Sequence, residues 1–322
     1  MHIPDGFLTP PVWATLDVAG VASVSLLARN AKTELDESRI PLLGVMGAFV
    51  FAAQMINFPV GLGTSGHLVG GALLAYVLGP GAAAMVMTAI LSIQALVFQD
   101  GGILALGPNI LNMAFAGVFA GYLPVHFFGS RSRPGALFAG AFLSVMVSAL
   151  LALSELLVSG VRMPAGLLWL SLGLFAVSAM VEGLITVAAV KAIGRLQPSW
   201  VRTNGRVRSP ALVTVALTAI LLASIGITLA SASPDGLEKV IGQPGSTDLS
   251  LIHSPLADYQ VGGLGSGWAP KAVAGVAGVI LVFALCSGVA RLAARGRGRV
   301  RPHPGFDLRA RREEEIDASH LR

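Results

Sequence analysis

The chain has 322 residues, of which 54% are hydrophobic and only 12% charged, and its mean hydropathy is +0.75. These proportions exclude an ordinary soluble domain and identify an integral membrane protein embedded in the lipid bilayer. The net charge of +5 reports membrane topology and gives no support to nucleic-acid binding, and the single Cys286 excludes a disulfide framework and a cysteine-based metal centre.

The chain opens with Met1-His2-Ile3-Pro4-Asp5-Gly6-Phe7. It lacks the basic region and short apolar core of a cleaved signal peptide, so the mature protein is expected to keep Met1 with a free amine. That amine, the backbone nitrogen of His2 and a ring nitrogen of His2 then lie close enough to surround one cation in a plane, and a fourth nitrogen would close a square. Such coordination selects Ni(II) or Cu(II), with cobalt also open, whereas magnesium and calcium require oxygen ligands. Pro4 fixes its φ and Asp5-Gly6 favours a tight turn, so the terminus is expected to be held bent. Taken alone, a histidine at position 2 is more often part of a frayed terminus. The remainder of the chain decides between these readings.

Apolar stretches follow over about 12–28, 40–58, 67–79, 81–98, 109–128, 135–158, 164–191, 210–231 and 270–290, against the ~20 residues needed to cross a bilayer. They predict an all-α polytopic membrane protein, with about seven transmembrane helices followed by two in a C-terminal module. The weakest boundary lies in the run from Leu68 to Phe98, broken only by Gly79-Pro80-Gly81, which reads as a reversal. Charge tests it. With the break real and the N-terminus outside, all of the 22 Lys and Arg residues except Arg162, Lys239 and Lys271 fall on the cytoplasmic side. A single span over 68–98 would turn the basic linker of Lys191, Arg195, Arg202, Arg206 and Arg208 outward, against the positive-inside rule.

The same topology sorts the histidines. His126 falls at an inner helix end and His303 and His320 in the inner tail, leaving His2, His67 and His253 on the outer side. His67 ends the glycine-rich run Gly61-Leu62-Gly63-Thr64-Ser65-Gly66. By itself it reads as a helix-start histidine bonded to a carbonyl; beside His2 it becomes the expected fourth nitrogen. His253 sits in a long outer stretch and is expected to be neutral or structural. Gln99-Asp100-Gly101-Gly102, with Asn109 and Asn112, forms a polar turn on the same face, read equally as support for the ligands or as a capped helix start. Asp17, Glu155 and Glu182 lie within spans, where ionisable groups suggest function. Gly66/Gly70 and Gly117/Gly121 have the four-residue spacing that permits close helix packing or docking of another subunit.

After the basic linker the pattern becomes one span, an outer stretch holding Ser233–Lys239 and Ser254–Tyr259, and another span. Three segments follow: a seven-helix metal-capture domain over 1–200, an accessory module over 201–292 whose outer loop would lie over the metal pocket, and a charged cytoplasmic tail over 293–322. The basic part of that tail is expected to rest against anionic headgroups.

The N-terminal octapeptide Met1–Leu8, the Gly66-His67 loop and the Gln99–Asn112 turn resemble the CbiM/NikM family, the substrate-capture membrane subunits of nickel and cobalt energy-coupling-factor transporters. The resemblance covers about residues 1–200, and residues 210–292 resemble the PDGLE-type accessory domain found with these subunits. It implies that the Met1 amine, the His2 amide and ring nitrogens and the His67 ring nitrogen bind one square-planar ion. That ion is Ni2+ or Co2+ as transported substrate, with no organic cofactor. The partners implied are cytoplasmic ATPase subunits and a transmembrane coupling subunit, in a cell membrane with the N-terminus outside and the C-terminus in the cytoplasm. The residues agree on two points. No Gly-x4-Gly-Lys-Ser/Thr phosphate loop occurs, so energy must come from a partner. Binding needs a neutral amine and imidazole, so protons are expected to compete with the metal as pH falls. The alternative function is a stand-alone secondary permease, for which the spans offer few relay residues. A metal-sensing receptor would have only the short tail as output, and an intramembrane enzyme lacks a His-Glu-x-x-His helix or a nucleophile–base pair.

Overall fold

A computed structural model describes residues 1–34, 37–129, 131–197, 209–231, 233, 237, 254–262 and 267–295. Arg202, Arg206, Arg208, Lys239 and His253 lie outside the described residues, as does the tail beyond Arg295 with His303 and His320. Each of the nine expected apolar stretches contains helix. They are α1 (Pro10–Glu34), α2 (Ile40–Gln54), α3 (Gly71–Leu78), α4 (Pro80–Ile93), α5 (Leu106–Asn109) continuing into α6 (Val118–Phe128), α7 (Arg133–Val158), α8 (Ala165–Leu196), α9 (Ser209–Ser224) and α10 (Trp268–Arg295). Pro41, Pro80 and Pro134 stand in the first turns of α2, α4 and α7, where a missing N–H costs no helical bond.

Seven helical stretches among the described residues are long and apolar enough to cross a bilayer: Pro10–Arg29, Pro80–Phe98, Leu106–Phe128, Arg133–Val158, Ala165–Leu196, Pro210–Thr228 and Trp268–Ala294. The protein is therefore an all-α, multi-pass membrane protein. Helix α2 has only 15 residues and is buried along most of its length, because α9 and α10 pack against it. Gly117 and Gly121 serve close packing within the chain. A Cβ at Gly117 would stand 2.5 Å from Ser148 Oγ, and one at Gly121 would stand 2.9 Å from Ala72 Cβ.

The expected third span needs correction. The chain leaves α2 at Gln54, forms an antiparallel hairpin of β1 (Phe58–Gly61) and β2 (Thr64–Gly66), and is non-helical over 67–70 before the eight residues of α3. At ~1.5 Å per residue α3 is about 12 Å long, well short of the ~30 Å hydrocarbon core. Gly70, at φ +78, separates it from the preceding segment. The break at Gly79 is real: φ 88 and ψ 154 there are far from helical values, and Pro80 starts α4. His67 and Asp100 both lie against residues 1–2, so α3 and α4 leave that face and return to it.

Non-helical backbone at membrane depth is tolerated only where protein satisfies its polar groups. Glu182, on α8 and fully buried, does this for the segment after His67. Its Oε2 accepts Val69 N–H at 2.7 Å and its Oε1 accepts Gly70 N–H at 2.8 Å. Gln54 Nε2 donates to Val69 O at 2.7 Å. The buried carboxylate that the sequence left without a partner is the clamp on the broken helix.

This clamp predicts that Glu182→Ala, which strands two buried N–H groups, lowers stability by about 2–5 kcal/mol. Thermal unfolding in detergent checks it, and Glu182→Gln, which keeps one acceptor and turns the other into a donor facing an N–H, should fall between the two.

Candidate metal centre

Residues 1–8 have no regular structure of their own, so their polar backbone groups need partners elsewhere. The turn after α4 supplies them. Ile3 N–H donates to Asn109 Oδ1 at 2.9 Å, and Asn109 Nδ2 donates back to Ile3 O at 3.0 Å. Gly102 N–H donates to the same carbonyl at 2.8 Å. The Asp5 carboxylate accepts Ile103 N–H at 2.9 Å and Leu104 N–H at 2.7 Å. One turn further on, Asp17 Oδ1 accepts Gly107 N–H at 2.7 Å, tying α1 to the start of α5. The terminus is consequently buried: Met1 is 7%, His2 8% and Ile3 0% exposed. Glycine is required where the two segments touch. A Cβ at Gly102 would lie 2.4 Å from Asp5 Oδ1 and 2.6 Å from Asp5 N.

This inward fold brings Met1, His2 and His67 together. The Met1 amine stands 3.1 Å from His67 Nε2. His67 Nδ1 is 2.9 Å from Leu68 O, and a carbonyl only accepts, so Nδ1 carries the proton and the lone pair of the neutral ring sits on Nε2. The carbonyl contact expected of His67 is thus present, although the residue lies before the helix rather than at its start, and it leaves Nε2 facing the amine. The His2 and His67 rings are parallel within 3°, with centroids 5.6 Å apart.

Asp100 holds the second imidazole, with Oδ1 3.0 Å from His2 Nδ1. His2 Nε2 is buried with no hydrogen-bond partner. A cation taken up by Nδ1 would therefore compete with Asp100 for that atom. Burial alone would raise the Asp100 carboxyl. The His2 ring beside it, by charge and hydrogen bond, and a hydrogen bond from Tyr259 outweigh it and hold the group well below the usual carboxylate range. Tyr259, from the accessory module, donates its hydroxyl to Asp100 Oδ2. Burial, and then the adjacent carboxylate, push its phenol well above the ordinary tyrosine range, so it remains a donor.

Among the described residues, no group of three or more His, Cys, Asp or Glu side chains is placed to hold a metal ion. Asn112 is engaged elsewhere, donating to Glu155 Oε2 at 2.8 Å. His126 packs between the rings of Tyr122 and Phe127 at the far end of α6. Asp100 lies in the polar turn read as possible support for a metal, and Tyr259 in the outer loop expected over the pocket, but neither side chain was singled out, nor were Gln54 and Gln94. A weak signal for Gln94 was available, since an amide inside an apolar span needs a partner. It opens the π-helical turn Gln94–Phe98, and such wide turns recur at functional sites.

Residues 2–200 match the family described as "Cobalt uptake substrate-specific transmembrane region", and residues 209–295 match the PDGLE domain. Similar proteins include a putative fused nickel transport protein, NikMN, of Archaeoglobus fulgidus, 33% identical and covering 91% of this chain and 99% of that one. A putative metal transport protein of Haloquadratum walsbyi is 41% identical over 63% of this chain and 94% of its own. A putative fused cobalt transport protein, CbiMQ, of Methanocorpusculum labreanum is 30% identical over 95% of this chain and 57% of its own. The crystal structure of a truncated transition metal transporter superposes with a TM-score of 0.54 at 33% identity, covering 61% of this chain and 99% of that one. With a buried N-terminus set against a histidine loop, in a multi-pass helical chain matched over most of its length, this protein belongs to the CbiM family of nickel and cobalt transport membrane proteins, with a PDGLE domain following in the same chain.

Proposed function

We propose that this chain is the substrate-capture subunit of an energy-coupling-factor importer for a divalent transition metal, Ni2+ in preference to Co2+. The metal is taken from the outer side by four nitrogens: the Met1 amine, the His2 amide, a His2 ring nitrogen and His67 Nε2. The observation that carries this is the 3.1 Å approach of the Met1 amine to His67 Nε2, with the two imidazoles parallel. Nitrogen ligands arranged in one plane favour Ni(II) over the oxygen-seeking divalent ions. The metal-capture domain spans 1–200 and the accessory module 201–292, with the N-terminus outside and the C-terminus in the cytoplasm. Energy for release inward comes from ATPase partners through a transmembrane coupling subunit. In favour of this partnership, the three carboxylic acids within the spans are each engaged with a structural partner. Glu182 holds Val69 and Gly70, Glu155 holds Asn112 and Asp17 holds Gly107, which leaves little of a proton relay for a self-driven permease.

Acetylating the terminus, adding one residue before Met1, His2→Ala and His67→Ala should each weaken Ni(II) binding by more than the roughly 10–100-fold carried by outer partners of a metal ligand. Calorimetric titration on protein whose N-terminus has been checked by mass spectrometry is the measurement. Nanomolar-range affinity surviving the first three changes would refute the chelate.

In liposomes, uptake of radioactive nickel should require ATP together with the ATPase pair and the coupling subunit. Uptake by this chain alone would transfer the reading to a secondary permease.

A further inference from the structure

The PDGLE domain meets the segment that carries His67 at atoms the ion does not need. The hairpin ahead of His67 turns at Leu62-Gly63, both left-handed at φ 52 and φ 69, and Thr64 Oγ1 closes the turn by donating to Gly61 O at 2.5 Å. At the open end Phe58 pairs with Gly66, so Asn57 and His67 are the residues that flank this last pair. The tip stands out, with Leu62 71% exposed, whereas Thr64, Ser65 and Gly66 of β2 are all buried.

Two residues of the PDGLE domain grip that open end. Ser231 N–H donates to Asn57 O at 2.8 Å, and Ser65 Oγ donates to Ser233 O at 2.6 Å. Ser231 Oγ accepts Ser233 N–H at 3.2 Å, a short turn that presents the Ser233 carbonyl to Ser65. Just ahead of it in the chain, Gly226 lies so close to Ile56 that a Cβ there would stand 2.6 Å from Ile56 Cδ1. Beyond His67 the chain is anchored a second time. Glu182 takes the Val69 and Gly70 amides, and Gln54 donates to Val69 O. His67, with Gly66 and Leu68 beside it, is therefore strung between Ser65 and Val69, and the anchor on the Ser65 side belongs to the PDGLE domain. A segment this short, fixed at both ends, has little freedom to carry its ring away from the Met1 amine.

We infer that Ser65 is a positioning residue for metal capture, and that the PDGLE domain acts through Ser231 and Ser233 as a strap across the open end of the hairpin that presents His67 Nε2. Neither ring nitrogen of His67 takes part in the three hydrogen bonds of the strap, so it does not compete with an ion bound there. Its effect is on how long a captured ion is retained, because a ligand held in place costs less ordering when the ion binds. The inference rests on the proposed use of His67 as the fourth nitrogen.

The test compares the unmodified full chain with Ser65→Ala, Ser231→Ala and the double variant. Stopped-flow release of Ni(II) to a chelator is measured on the loaded protein, and amide hydrogen exchange, read by mass spectrometry, on the metal-free protein. Each single change should speed Ni(II) release by about 2–10-fold, the range that one hydrogen bond carries. Exchange over residues 58–70 should quicken, while exchange over the 99–109 turn stays as it is. The double variant should release no faster than Ser65→Ala, because both changes act on the bond between Ser65 and Ser233. Unchanged release in both single variants would overturn the inference and leave the chelate standing. So would faster release without faster exchange over 58–70, or effects of the two changes that multiply. If Ser65→Ala does not fold, Ser231→Ala decides alone: unchanged release overturns the inference, and faster release with faster exchange over 58–70 supports it. No Ni(II) binding by the unmodified protein would remove the chelate and this inference together.

Discussion

Everything at the candidate site depends on the hydrogen bonds that the 99–109 turn makes to the first five residues. Those residues have no helix or strand of their own, so each buried polar group must find its partner across the chain. Asn109 pairs with Ile3 in both directions and Asp5 gathers two successive amides, which fixes where Met1 and His2 lie. The ends of α4 and α5 position that turn in turn. A backbone clamp of this kind is intolerant of any shift in register, and Gly102, with Asp5 against it, leaves no room for one.

The segment carrying His67 obeys the same rule. Residues 67–70 give up helical bonds to place His67 beside the amine, and Glu182 and Gln54 replace those bonds. The cost of a carboxylate within a span is offset by the two amides it satisfies. Both imidazoles are thus delivered by irregular backbone, and each irregular piece is held by a buried polar side chain from a neighbouring helix or turn. The accessory module joins the arrangement at Tyr259 and at Ser65, whose hydroxyl donates to Ser233 O at 2.6 Å.

Much of this was readable before any coordinates. Apolar run lengths and the side bias of Lys and Arg yield the helix order and the reversal at Gly79, because a bilayer imposes both. Met1, His2 and His67 stood out because nitrogen donors on one face of a membrane protein are few. The hairpin over 58–66 and the shortened α3 were not readable, since hydropathy records that a stretch is apolar and is silent on which distant side chain will take its amides. Glu182 looked functional for the right reason, its expense, yet its partners are more than a hundred residues away. Tyr259 belonged to a loop expected over the pocket, but its contact with Asp100 comes from the close approach of two modules, which no local pattern encodes.

The central claim is that the chain's own first nitrogens, with His67, take the ion in one plane. X-ray absorption at the nickel edge of the Ni(II)-loaded full chain tests it most directly. The account predicts a single shell of four nitrogen scatterers with the edge shape of a planar site and no sulfur. A six-coordinate shell rich in oxygen, or a sulfur scatterer from a methionine, would contradict it.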